Sequence, residues 1–417
     1  MLNLTFNETS LSNATTSNNT FHALFCNDAA ARVTTNFELI SHGILISVFA
    51  IFGIFGNSIS IAILSRPEMK SSINCCLLGL SSVDLILLIT SLLMFGVATI
   101  AKFYNIFPFY LHHINPAITP YVYSLGLVSQ TSSVYMTMTV TIERYVAVCH
   151  PLKAKSWCTY GRAKLYILAA ILFSILYNSP RFHETAVIDC AAHTGVPLSV
   201  VVPTDLRMNE MYIKWYITWS YLLFMYIIPF AILLIFNMII YLKTHRANRE
   251  RQRLSRTQIK ELGFVMVLLC VVAIFLLCNI LPFIANVLEL LDYVHFENYD
   301  NFVKLGNLLV TFNSSIIFII YCIFGEKFRR IFWRIILCRS RLPRRSPRFE
   351  DTKHSREGSR QAANSGVYFN VVTTVRFTPA RSSNYANITT TSVQEISTNP
   401  HYRFSDEERR LLNGTRL

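Results

Sequence analysis

The stretch Thr139-Val-Thr-Ile-Glu-Arg-Tyr-Val-Ala-Val-Cys-His-Pro-Leu-Lys-Ala154 places an acid, an arginine and a tyrosine together at the end of a long apolar run. The run extends from Val122 to Val148, and Glu143, Arg144 and Tyr145 sit near its close. Charges are costly at membrane depth and usually mark function when they occur there. Taken alone, the triplet fits a pair of solvated charges at a helix end equally well. The rest of the chain decides between the two.

Of the 417 residues, 52% are hydrophobic and only 15% are charged, against about 25% charged in ordinary soluble proteins. The apolar residues are gathered into seven runs: Leu39–Leu64, Ile73–Ile100, Ala117–Val148, Leu165–Ser179, Tyr212–Tyr241, Leu262–Leu290 and Phe302–Phe324. Runs of about 20 apolar residues read as membrane spans. The fourth is the shortest. Any one run could be a buried soluble helix, but seven in series separated by short polar loops point to an all-α membrane protein with a seven-transmembrane helix bundle.

Lysine and arginine set the orientation. Arg66 and Lys70 follow the first run; Lys153, Lys155, Arg162 and Lys164 follow the third. Lys243, Arg246, Arg249, Arg251, Arg253, Arg256 and Lys260 follow the fifth. The alternate loops carry Lys102, then Arg181 and Arg207, and no basic residue between Leu291 and Tyr299. The expected arrangement is a multi-pass protein of the plasma membrane with its N-terminus outside. The net charge of +14 is then a topological signal, and a nucleic-acid partner is not expected. Residues 1–38 form an extracellular tail with glycosylation sequons at Asn3, Asn7, Asn13 and Asn18. No basic segment precedes a short apolar stretch there, so the first span is expected to act as its own insertion signal.

Few polar residues interrupt the spans. Asp84 lies near the middle of the second, with Asn57, Ser133, Asn313 and Ser314 as the available partners on spans one, three and seven. Interhelical hydrogen bonds account for Asn and Ser, but a lone carboxylate calls for a cation, a proton or a moving partner. Pro229 and Pro282 lie inside spans five and six, where a proline removes a helical hydrogen bond. They read as static bends or as hinges on either side of the long basic third cytoplasmic loop.

In their order on seven helices, these residues resemble the rhodopsin-like (class A) G-protein-coupled receptors over about Leu39 to Cys338. The resemblance rests on Gly56-Asn57, Leu80 with Asp84, Glu143-Arg144-Tyr145, Pro229, Pro282, and Tyr321 followed by Phe324-Gly-Glu-Lys-Phe328. Within that group the chain is most similar to the invertebrate FMRFamide neuropeptide receptors. The segments concerned are Leu64–Asn74, the opening stretch Thr139–Ala154, Cys158–Lys164, Arg246–Arg256 and Ile323–Phe328. The resemblance implies a receptor domain over 39–324 that passes binding of an extracellular amidated neuropeptide to a heterotrimeric G protein. Glu143, Arg144, Tyr145 and Tyr321 would form the inner switch. A sodium ion beside Asp84 is the one cofactor it suggests.

Departures from the family pattern matter too. Thr119 stands where the family has a cysteine, and Phe173 near its usual tryptophan. Asn237 replaces a tyrosine, Asn279-Ile280-Leu281-Pro282 lacks the span-six tryptophan, and Ile317-Phe318-Ile319-Ile320-Tyr321 lacks the span-seven Asn-Pro. With no cysteine at Thr119, the two cysteines in extracellular segments, Cys26 and Cys190, are expected to pair with each other. Free or intermolecular thiols are the alternative. Residues 325–338 alternate Phe328, Ile331, Phe332 and Ile335 with Lys327, Arg329, Arg330 and Arg334, as a helix on the inner lipid surface would. Cys338 is then a palmitoylation site. Residues 339–417 read as a disordered cytoplasmic tail whose Thr389–Ser392 cluster could recruit arrestin once phosphorylated.

Gly126 stands where amine receptors of the family carry an Asp, which argues against a monoamine ligand. An Arg-Phe-amide peptide would need a carboxylate for its guanidinium and an aromatic cage for its ring. The expectation is Glu289 for the arginine, with Asp292 second, and Tyr123, Gln130 and Trp219 as pocket lining. Another neuropeptide class is the alternative ligand. A channel or transporter using Asp84 is less favoured, since no internal repeat is visible. No catalytic constellation occurs in the spans, so an enzyme is not expected.

Overall fold

The computed structural model describes residues 26, 34–190, 198–250, 256–290 and 299–336, with 247–250, 256–270, 289, 290, 324 and 336 described by backbone alone. Among these residues, six helices are long and apolar enough to cross a membrane by length and composition. They are α1 (Asn36–Leu64), α2 (Ser72–Phe103), α4 (Tyr160–His183), α5 (Glu210–Arg246), α6 (Arg256–Leu290, apolar over Val271–Leu288) and α7 (Tyr299–Phe324). The seventh, α3 (Asn115–Cys149), is less apolar and is embedded among α2, α4 and α5.

The polar residues of α3 are accommodated locally. Ser124, Ser129, Thr131, Ser132, Thr137 and Thr141 each donate to the backbone carbonyl four residues earlier, at 2.8–3.0 Å. Their hydroxyls are thereby satisfied without water, as a helix at membrane depth requires. The fourth span is longer than its apolar run, because the helix starts in the polar turn Tyr160–Lys164, where Thr159 caps the Arg162 amide. Leu165, Leu168, Leu172 and Leu176 of α4 face outward, while Ala163, Ala170, Ser174 and Asn178 are buried. Small residues on the packing face let the backbones approach closely.

Two apolar clusters hold the bundle. One joins α1, α2, α3 and α7 through Ile63, Leu80, Met136, Ile317 and Tyr321; the other joins α3, α5 and α6 through Val134, Met138, Met225, Leu233 and Phe275. A Cβ at Gly53 would come within 2.8 Å of the Ser315 backbone, so glycine is what lets α1 lie against α7. Outer portions of α1, α2 and α5 are π-helical, at Leu39–Leu45, Leu92–Val97, Ile213–Ser220 and Leu222–Ile227. Pro229 lies two residues beyond the last of these.

Three features go beyond the seven runs. A short helix, Pro151–Trp157, fills the loop between α3 and α4. The loop between α4 and α5 forms an antiparallel hairpin, β1 (Thr185–Asp189) with β2 (Ser199–Pro203), pairing Thr185 with Pro203 and Asp189 with Ser199. Cys190, just after β1, is disulfide-bonded to Cys26, with Cα atoms 5.6 Å apart, so the expected pairing is present. After α7, α8 (Glu326–Ile336) buries Phe328 and Ile331 and exposes Arg329, Arg330 and Arg334. Asn3, Asn7, Asn13, Asn18, Asp292, Cys338 and the tail 339–417 lie outside the described residues.

Candidate ligand cleft, polar floor and inner switch

The outer half of the bundle holds a cleft with two lobes that share Gln130, Asn307 and Val310. One lobe, about 450 Å³, lies between α2, α3 and α7 and is walled by Leu87, Thr90, Phe95, Tyr123 and Gly126. The other, about 400 Å³, lies toward α5 and α6 and is walled by Tyr221, Tyr226, Pro282, Asn286 and Tyr299. Pro282 fits against Gly306, where an added Cβ would be 3.3 Å from the proline ring, so α6 and α7 approach closely at the second lobe.

Of the residues expected in the pocket, Tyr123 and Gln130 line this cleft. Trp219 does not. It is 44% exposed and lines neither lobe. The reason is helical phase: α5 turns Tyr221, Leu222, Met225 and Tyr226 inward, which leaves Trp219 on the outer side. Glu289 lies in the last turn of α6, and its side chain is outside the described residues.

Behind the cleft sits a charged cluster of which the sequence reading used Arg181 only for topology. Arg181 and Glu184 are 3% and 2% exposed and pair at 3.1 Å. Tyr212 donates to Glu184 Oε1 at 2.7 Å. The Arg181 guanidinium also lies over the rings of Tyr216 and Tyr221, at 5.1 and 5.8 Å. Burying a charge without partners is expensive; here a carboxylate and two ring faces supply them. The available signal was an Arg and a Glu three residues apart at the outer end of span four, the side otherwise poor in basic residues.

Midway down, Asp84 is fully buried. Its Oδ1 accepts from Ser133 Oγ at 2.7 Å and from Ser314 Oγ at 2.9 Å. This joins α2, α3 and α7 at one atom. The expected network needs a correction at Asn57 and Asn313. Asn57 Nδ2 donates to the Gly53 and Ser314 carbonyls, both at 3.0 Å, and braces the α1–α7 contact rather than the carboxylate. Asn313 is buried beside Ser314 but is not among the donors to Asp84. Asp84 Oδ2 and Asn57 Oδ1 are buried without a hydrogen-bond partner, so this floor holds oxygens left to be satisfied.

At the inner end Glu143 is buried, and its carbonyl accepts from Cys158 Sγ at 3.8 Å. Arg144 is partly buried, with the Glu143 charge acting on it and Cys76 and Cys158 close by. Tyr145 stacks on Phe236 of α5, ring centroids 4.5 Å apart and planes 10° from parallel. Lys243 Nζ donates to the Cys149 carbonyl at 2.9 Å, a second tie between α5 and the end of α3. Tyr321 is buried against Phe328 of α8. The triplet is therefore packed into the junction of α3, α5 and the α3–α4 loop, and is not a pair of solvated helix-end charges.

Comparison with known proteins agrees with this architecture. The family model described as "7 transmembrane receptor (rhodopsin family)" matches residues 56–321. The FMRFamide receptor of Drosophila melanogaster is 48% identical over 307 residues, 73% of this chain and 55% of that protein. An FMRFamide peptide receptor of Caenorhabditis elegans is 34% identical over 292 residues, 68% of this chain and 66% of that protein. The human thyrotropin-releasing hormone receptor is 28% identical over 159 residues, covering 35% of this chain and 38% of that protein. The chain thus spans just over half the length of the fly relative and about two thirds of the nematode one. With seven long helices among the described residues, a family match across most of the bundle and a packed Glu-Arg-Tyr triplet at the end of α3, the chain belongs to the rhodopsin family of seven-transmembrane receptors.

Proposed function

We propose that this protein is a plasma-membrane receptor, N-terminus outside, for an Arg-Phe-amide neuropeptide, and that it signals through a heterotrimeric G protein. The observation that carries this reading is the 48% identity to the fly FMRFamide receptor over most of the helical bundle. The cleft supports it: among the described residues it is lined by tyrosines and carboxamides, with no acid to hold a small amine. Glu289 is proposed as the partner of the peptide arginine.

Signalling is a shift between two packings of the bundle. Peptide contacts on α3, α6 and α7 would favour outward movement of the inner half of α6, with Pro229 and Pro282 as hinges. Arg144 would leave Glu143 and meet the G protein. Phosphorylation of the tail would recruit arrestin. Glycans on Asn3, Asn7, Asn13 and Asn18 and a palmitate on Cys338 at the lipid surface complete the reading.

A sodium ion is proposed at the polar floor. A hard monovalent cation takes oxygen ligands, and Asp84, Ser133 and Ser314 offer them, with the Asp84 Oδ2 and Asn57 Oδ1 atoms unpartnered. Bound there, the cation would supply the counter-charge that Asp84 lacks and favour the resting packing. Among the described residues no group of three or more His, Cys, Asp or Glu gathers for a divalent metal.

The test is second-messenger release in transfected cells challenged with Arg-Phe-amide peptides alongside other amidated neuropeptides. Response to the first group alone supports the reading; response only to another class assigns the receptor to that class. Ligand-independent current or uptake would point to a transporter instead. Arg144→Ala should keep peptide binding and lose the response.

A further inference from the structure

We infer that Asn286 reads the terminal carboxamide of the peptide and is the residue that distinguishes an amidated ligand from its free acid. The inference rests on the receptor reading above and adds the group that decides ligand chemistry at the C-terminus.

The argument begins with one buried side chain. Asn286 is 3% exposed and forms part of the wall of the second lobe. Its Nδ2 donates to the Pro282 carbonyl at 3.0 Å. Its Oδ1 is buried and has no partner. Turning the amide over would set Oδ1 against the Pro282 carbonyl oxygen, acceptor to acceptor, so that carbonyl fixes which end is spoken for. The wall therefore carries a buried acceptor still in need of an N–H, and an unmade bond of this kind is costly.

The rest of the lining points to the same ligand group. Gln130, a second carboxamide, stands where the two lobes meet, and among the described residues no Asp, Glu, Lys or Arg lines either lobe. Arg181, beyond Tyr221, is held by Glu184. A peptide carboxylate entering here would meet an acceptor and no cation. A carboxamide brings two N–H donors and no charge. It can give one to Asn286 Oδ1 and exchange hydrogen bonds with Gln130, while Tyr226 and Tyr299 supply a largely apolar surround. A site built around a hydrogen bond rejects the analogue that cannot make it, because its own buried group is left unpaired.

The experiment compares an Arg-Phe-amide peptide with the same peptide as a free acid. Both are read by competition against labelled amide peptide and by second-messenger potency. The receptors are wild type, Asn286→Ala and Asn286→Asp, with surface level measured through an extracellular tag. Asn286→Ala is expected to weaken the amide by about tenfold or more and the acid by no more than about twofold, so that the preference shrinks. Asn286→Asp retains an acceptor and is expected to keep or widen the preference. Equal losses for both peptides in Asn286→Ala, or a wild-type ratio, would overturn the assignment. Should Asn286→Ala fail to reach the surface, a reduced preference in Asn286→Asp overturns it. A wild-type receptor that answers the amide while Asn286→Ala keeps its ratio defeats this inference alone. A wild-type receptor deaf to every Arg-Phe-amide peptide defeats the receptor reading and this inference with it.

Discussion

Arg181 and Glu184 stand three residues apart at the outer end of α4 and pair at 3.1 Å in a site nearly closed to solvent. Tyr212 of α5 completes the carboxylate, and Tyr216 and Tyr221 of α5 flank the guanidinium. One buried ion pair thus joins α4 to α5 behind the cleft wall. The Thr204 amide donates to the Glu184 carbonyl at 2.9 Å, which ties the end of the hairpin to the same point.

Breaking this pair from one side should be far worse than removing it whole. Arg181→Ala leaves Glu184 as an uncompensated buried charge, and such losses run to about 3–5 kcal/mol. Arg181→Met combined with Glu184→Leu removes both charges and should recover much of that loss. Thermal unfolding of the detergent-solubilised receptor measures both. Equal melting temperatures for the single and double variants would mean the pair is not the brace.

At the polar floor, sodium should stabilise the protein through Asp84. Raising sodium chloride against choline chloride at constant ionic strength should raise the melting temperature of the wild type and leave Asp84→Asn flat. Ser133→Ala and Ser314→Ala each remove one hydrogen bond to a carboxylate, worth about 1.5–3 kcal/mol. Both should weaken the sodium response. An identical shift in Asp84→Asn would remove the carboxylate from the ion's ligands.

The Cys26–Cys190 bond closes a long stretch of chain, with a sequence separation of 164. Its loss should destabilise the receptor by about 2–4 kcal/mol. Cys26→Ser, Cys190→Ser and the double variant should behave alike, because each removes the same bond. Non-reducing peptide mapping should recover the linked peptides from wild type, and an additive double variant would show that one cysteine acts otherwise.

By contrast, the contact between α8 and the first cytoplasmic loop should matter little to stability. Arg334 Nη1 lies 3.3 Å from Glu68 Oε2, but both side chains are about half exposed. Exposed pairs contribute about 0–1 kcal/mol and are screened by salt. Glu68→Ala should shift the melting temperature only slightly, and the shift should vanish at high salt. A loss comparable to that of Arg181→Ala would show that α8 is held chiefly by this pair rather than by buried Phe328 and Ile331.

Reading the chain by itself was enough for the number and order of the spans, because a bilayer demands long apolar helices and basic loops betray the inner side. It was also enough for the Cys26–Cys190 pairing, since few cysteines fall outside. Local periodicity failed where neighbours decide. Trp219 and Tyr221 are both aromatic and only two residues apart, yet one faces outward and the other inward. Asn57 and Ser133 both seemed suited to Asp84, but only Ser133 bonds to it. Arg181 looked like an exception to the charge rule and proved to be a buried partner.

What the sequence determined, then, is a seven-helix receptor with Glu143-Arg144-Tyr145 at its inner end. Hydropathy and charge are properties of single residues summed along the chain, and the membrane reads that sum. The tertiary structure decided which polar atoms are satisfied: Asp84 by two serines from distant helices, Glu184 by an arginine and a tyrosine, and Asn286 on one side only. Those outcomes depend on helix phase and on approach between segments as much as 230 residues apart in sequence, and no local pattern encodes them.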